Sequence, residues 1–284
     1  MKTIKHTNNL IIGYNDKKPI VADLTYYEKD SPQPIVIFCH GYKGYKDWGA
    51  WHLVAESFAK AGIVFLKFNF SHNGGTFENP IDFPDLEAFG HDNFSLQLSD
   101  LDQVISFVKD GTNPLPNIDT KNISLIGHSR GGGLACIMAS ENNAVKKLIT
   151  WAAVSDFKSR FPKDEKLEEW KEKGVYYVKN GRTKQDMPHF YQFYKDFIEN
   201  EKRFNIKKSV NNLDIPYLII HGENDETVSS DNAHQLKNSA NHAHLKFIKN
   251  ATHTFNTSQP WEKNGMSTEL KQVTELSIDF VKES

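Results

Sequence analysis

Cysteine is scarce in this chain of 284 residues: Cys39 and Cys136, each inside an apolar run, are the only two. Two thiols cannot build a disulfide framework or a four-cysteine metal site, so a reducing compartment is the expected setting. An excess of charge is missing as well, since 34 Lys and Arg against 36 Asp and Glu leave a formal −2. No bulk field gathers nucleic acid or an anionic bilayer, and neither is expected as a partner. Every apolar run is broken by charge or glycine well before the ~18 residues needed to span a bilayer. The opening Met1-Lys2-Thr3-Ile4-Lys5-His6 lacks the apolar stretch of about 7–15 residues that marks a secretory signal. A cytoplasmic chain starting at Met1 is therefore expected. Fixed-period repeats and low-complexity tracts are also absent.

What is present is a composition 38% hydrophobic and 12% aromatic, enough to bury one large core, read here as a single domain over 1–284. Leu10-Ile11-Ile12 and Ile20 to Tyr27 flank the turn-forming Asn15-Asp16-Lys17-Lys18-Pro19 and predict an antiparallel pair. Six short apolar runs follow, at 35–39, 63–68, 123–126, 148–152, 217–220 and 245–248. Rich in β-branched and aromatic residues without strict alternation, they read as strands covered on both faces. Between them Phe94, Leu98, Leu101, Ile105 and Val108, and later Met266, Leu270, Val273, Leu276 and Phe280, recur at helical spacing. The alternation predicts an α/β fold with a mostly parallel eight-stranded sheet flanked by helices, whose ligand sites follow the carboxyl ends of the strands. One stretch breaks the rhythm: residues 155–205 are charged and aromatic, with an Asn180-Gly181 hairpin signal, and are read as a cap inserted into the domain.

After the strand ending at Ile126 comes Gly127-His128-Ser129-Arg130-Gly131-Gly132. G-x-S-x-G between a strand and a helix is a nucleophile elbow, whose glycines allow the tight turn that lifts a serine hydroxyl out of the sheet. His40-Gly41-Tyr42-Lys43-Gly44 follows the first parallel strand and can supply a backbone donor to an oxyanion, so the amides of Tyr42 and Arg130 are the expected pair. A serine needs a base and the base an orienting acid. Asp225 and His253 each follow a strand, completing the order Ser129, Asp225, His253. Among rivals for the acid, Glu223 shares the loop, while Asp214 precedes the strand and falls at the wrong end of the sheet. His40, His128 and His221 read as structural histidines.

Together with Phe70-Ser71-His72-Asn73-Gly74, these motifs cover about residues 20–284 and resemble the α/β-hydrolase superfamily. Within it the chain is most similar to the dienelactone-hydrolase-like and serine-aminopeptidase-like group that includes bacterial cinnamoyl and feruloyl esterases. There a lid with a short hairpin follows the sixth strand. True dienelactone hydrolases carry cysteine at the elbow, where this chain has Ser129. The resemblance implies a serine esterase acting without metal or organic cofactor on a small-molecule ester of short acyl or aryl type, and leaves room for a homodimer. A peptidase or amidase with the same triad is the alternative within catalysis, and a ligand-binding protein on the same fold is the alternative outside it.

Overall fold

The computed structural model describes residues 3–110, 117–240 and 242–283; Met1, the expected start, lies outside them. Strands β1 (Ile4–Asn15) and β2 (Lys18–Tyr27) form the antiparallel pair. The alternation then runs β3 (Gln33–Cys39), α1 (Trp51–Lys60), β4 (Val64–Asn69), α2 (Leu86–His91), α3 (Phe94–Asp110), β5 (Ile118–His128), α4 (Arg130–Glu141) and β6 (Val145–Trp151). Between β6 and the next sheet strand lie a short 3-10 turn, α5 (Glu165–Lys173), the hairpin β7 (Val175–Lys179) and β8 (Asp186–Phe190), α6 (Gln192–Glu199) and α7 (Ile206–Asn211). The chain returns through β9 (Tyr217–Gly222), α8 (Asp231–Ser239), β10 (His244–Ile248) and α9 (Thr268–Lys282).

Eight strands form one sheet in the order β1-β2-β4-β3-β5-β6-β9-β10, parallel from β4 onward. Alternate residues of a strand face opposite sides: Ile35, Ile37 and Cys39 join the core under α3 and α4, while Val36 and Phe38 join that under α1 and α9. The stripe Phe94, Leu98, Leu101, Ile105, Val108 is buried as its spacing requires. Met266 of the second stripe falls just before the helix, because Ser267 caps α9 by accepting from Leu270 N at 3.0 Å.

The hairpin differs from its sequence signal. A two-residue Asn-Gly turn needs left-handed backbone at both positions, yet Lys184, not Gly181, takes the positive φ, +63°. Six residues, 180–185, make the reversal, and Asn180 spends its side chain accepting from Arg182 N at 3.0 Å.

Both cysteines are free and buried; burial drives the Cys39 thiol far up and the Cys136 thiol to about 12. A buried ionic group ties the loop after β3 to the sheet. Asp23 Oδ2 of β2 accepts from Lys67 Nζ of β4 at 2.6 Å and from Lys46 Nζ at 2.7 Å, and Asp47 meets both ammonium groups. Burial raises the Asp23 carboxyl, but the two ammonium charges outweigh it and hold the group below its ordinary range.

Candidate active site

Ser129 stands between β5 and α4 with φ +56° and ψ −119°, a backbone that a residue with a Cβ adopts at a cost of roughly 1–3 kcal/mol. Its surroundings impose it: Ser129 N donates to Trp151 O at 2.9 Å, and Gly132 N to Ser129 O at 3.0 Å. Glycine is required at the crossing, since a Cβ on Gly127 would sit 2.4 Å from Gly131 O and one on Gly131 2.4 Å from His40 O.

His253, after β10, brings Nε2 to 3.0 Å from Ser129 Oγ and Nδ1 to 2.8 Å from Asp225 Oδ2. A carboxylate only accepts, so Nδ1 carries the proton and Nε2 faces the serine hydroxyl as an acceptor. Asp225, after β9, has its side chain fully enclosed, and its Oδ1 accepts from Thr227 N at 2.9 Å and Val228 N at 2.8 Å. Burial opposes its charge, but hydrogen bonds from His221, His253 and Val228 N prevail and hold the carboxyl far below the usual range. Glu223 is exposed in the same loop, and Asp214 is exposed before β9.

Two of the histidines read as structural support this arrangement directly. His128 Nε2–H donates to His253 O at 2.9 Å, and burial, with the neighbouring His253, pushes its pKa down to about 3. His221 Nε2–H donates to Val228 O at 2.8 Å and lies 3.4 Å from Asp225 Oδ2, a second contact to the acid that its strand-end position alone did not signal. His40 donates through Nδ1 to Gly41 O at 2.9 Å, and burial lowers its pKa to about 4.

The turn holding Tyr42 packs against the elbow so closely that a Cβ on Gly41 would meet Ser129 Cβ at 2.9 Å. Tyr42, Ser129 and Arg130 share the wall of a cavity of about 470 Å³. The segment between β6 and β9 supplies much of the rest: Phe157, Phe161, Trp170, His189 and Phe193. His189, which the sequence reading passed over, is buried with Nε2 2.7 Å from Tyr42 Oη. Across Ser129 a smaller cleft of about 100 Å³ is bordered by His40, Trp48, His128 and His253. Among the described residues no three His, Cys, Asp or Glu are grouped to hold a metal ion, and no helix is long and apolar enough to cross a membrane.

A mostly parallel eight-stranded sheet with a strained serine after β5, an acid after β9 and a histidine after β10 defines the α/β-hydrolase superfamily. The family model BD-FAE matches residues 23–240, and the chain belongs to that family. Among solved structures it is similar to Est1E from Butyrivibrio proteoclasticus with ferulic acid bound, at TM-score 0.71 and 18% identity over 95% of this chain and 97% of that one. The dienelactone hydrolase from Anabaena variabilis ATCC 29413 superposes at TM-score 0.61 and 16% identity, covering 98% and 96%. A curated relative, the uncharacterized peptidase YtmA of Bacillus subtilis (strain 168), is 26% identical over 130 residues, 45% of each chain. The match thus spans less than half of that relative's length.

Proposed function

We propose that the protein is a serine hydrolase of carboxylic esters. The observation that carries this reading is the continuous hydrogen-bonded line Ser129 Oγ, His253 Nε2, His253 Nδ1, Asp225 Oδ2 at a strained elbow beside an apolar cavity. Ser129 Oγ attacks the ester carbonyl carbon as His253 Nε2 takes its proton, and the anionic Asp225 stabilises the imidazolium that forms. The amides of Tyr42 and Arg130 hold the oxyanion. As the tetrahedral intermediate collapses, the bond to the alcohol oxygen breaks and His253 returns the proton to it, leaving Ser129 acylated. Water, deprotonated by the same imidazole, then attacks the acyl carbon and releases the acid and the serine.

This chemistry invokes no cofactor. Residues 155–205 act as a cap over the acyl chamber, a role supported by the aromatic side chains they contribute to its wall. The ferulic acid bound to Est1E supports an aryl or hydroxycinnamoyl acyl group here as well as short acyl chains. The name of the B. subtilis relative favours amide substrates as the second reading, and the two reduced, buried thiols support a cytoplasmic setting.

Ser129→Ala is expected to leave the fold intact, abolish labelling by a fluorophosphonate and lower kcat on a small ester by a factor on the order of 10⁶. Retention of more than about a hundredth of the wild-type turnover would overturn the assignment. An aminoacyl anilide assayed beside the ester separates peptidase from esterase.

A further inference from the structure

Arg130 carries the most prominent group that the mechanism leaves unused, because only its backbone amide enters the chemistry. Its side chain is 17% exposed, and its guanidinium makes no hydrogen bond to any described residue. Three rings enclose it, with centroids at 4.3 Å for Tyr42, 5.3 Å for Phe193 and 5.6 Å for Phe94. Aromatic faces stabilise a cation but offer no lone pair to its five N–H donors. The nearest carboxylate oxygen, Asp92 Oδ2, is 4.0 Å away and already accepts from Gln97 Nε2 at 2.6 Å. Burial drives the Asp92 carboxyl well above its ordinary range, against the opposing pull of Arg130, so this partner compensates the guanidinium weakly.

Arg130 and the three rings that enclose its guanidinium line the same cavity as Ser129. Arg160 and Lys166 stand on that wall too, both exposed, while no Asp or Glu lines the cavity. The remaining wall is largely aromatic and aliphatic. An occupant matched to it has a hydrocarbon stem and an anionic end with two acceptors, which is the geometry of a carboxylate on a guanidinium.

Building on the esterase reading, we propose that the acyl chamber selects acyl groups carrying their own carboxylate, so that the preferred substrates are half-esters of dicarboxylic acids, with Arg130 as the residue that determines the preference. Arg130 binds the distal carboxylate while Ser129 is acylated at the other end. Arg160 and Lys166 draw the anion toward the mouth. A neutral acyl group fills the same space but leaves the fork unpaired, and discrimination follows from that difference.

The test compares monoethyl adipate with ethyl hexanoate, followed by pH-stat titration, in the wild-type protein and in Arg130→Met and Arg130→Lys. The expected wild-type kcat/KM favours the half-ester by at least about tenfold, the scale of one charge-assisted pair in a buried site. Arg130→Met is expected to bring the ratio to one or below, chiefly through KM for the half-ester. Arg130→Lys, which keeps the charge and loses the fork, is expected to fall between. A wild-type ratio at or below one, or a ratio unchanged in folded Arg130→Met, overturns the proposal while hydrolysis of ethyl hexanoate leaves the esterase reading standing. Failure of folded wild-type protein to cleave either ester overturns both.

Discussion

His189 Nε2, on the second strand of the β7–β8 hairpin, lies 2.7 Å from Tyr42 Oη, although 147 residues separate the two in the chain. Burial, with Arg130 and Lys43 nearby, pushes the His189 pKa down to about 3, and burial pushes the Tyr42 phenol up to about 12. A neutral imidazole and a neutral phenol therefore share one proton across the working pH range. The Arg130 guanidinium covers the Tyr42 ring at 4.3 Å, so this residue, whose amide is the proposed oxyanion donor, is held from two directions.

His189→Ala is accordingly expected to lower kcat by about tenfold, the scale of one buried hydrogen bond, with a smaller change in KM. Tyr42→Phe should cost a similar factor, and the double variant little more than either alone. His189→Gln, which can still bond the phenol, should recover part of the loss. Independent, multiplying losses in the double variant would show that the contact does not position Tyr42.

The acid is tested by a pair of substitutions in one loop. Asp225→Asn should reduce kcat by roughly 10⁴, since an amide presents the imidazole with the wrong partner and cannot stabilise the imidazolium. Glu223→Gln, at an exposed side chain, should cost less than about tenfold. A larger loss at Glu223 in parallel kcat/KM measurements would transfer the role to it.

Much of this arrangement was legible in the sequence because Ser129, Asp225 and His253 each follow directly on an apolar strand, and strand ends of a parallel sheet converge. The antiparallel pair and the α3 stripe were legible for the same reason: burial on one or both faces writes itself into local spacing. His189, His221 and Asp92 were not. Each owes its importance to a contact with a residue presented by another segment, Tyr42, Asp225 or Arg130, and no local pattern encodes which histidine a fold will carry to which tyrosine. The Asn180-Gly181 signal marked the reversal but carried no information on its length, since Asn180 hydrogen-bonds within a longer loop that a dipeptide does not reveal.

Three of the buried histidines cost the fold stability in acid, and two buried carboxyls, Asp92 and Asp100, oppose them. The pKa values of His40, His128 and His189 fall from 6.5 to about 4, 3 and 3 in the folded protein. The unfolded chain then binds protons that these imidazoles refuse, so their contribution is full above about pH 6.5 and is lost as pH falls toward 4. Asp92 and Asp100, whose burial raises their carboxyls well above the ordinary range and to about 6 respectively, recover stability as they protonate over the same window. Each histidine costs about 2 kcal/mol at about pH 5. Asp225, depressed in the fold, adds a further loss only below the ordinary carboxylate range. In denaturant titrations between about pH 7 and pH 4, the stability of the wild type should fall relative to that of His128→Asn as pH drops, since the two proteins share every other titrating group. A difference between the two proteins that does not change over that window would show that the His128 imidazole protonates freely inside the fold.

The burial of Cys39 and Cys136 reaches beyond packing. A thiol in that environment holds almost no thiolate, and the thiolate is the form that oxidants, alkylating reagents and mixed disulfides attack. The folded chain is thus inert to this chemistry, and each thiol becomes competent only when its part of the core opens. Cys39 ends β3 beside the turn bearing Tyr42, and Cys136 lies in the helix that Ser129 begins. The rate at which either sulfur is captured becomes a clock for how often the scaffold beneath the serine comes apart.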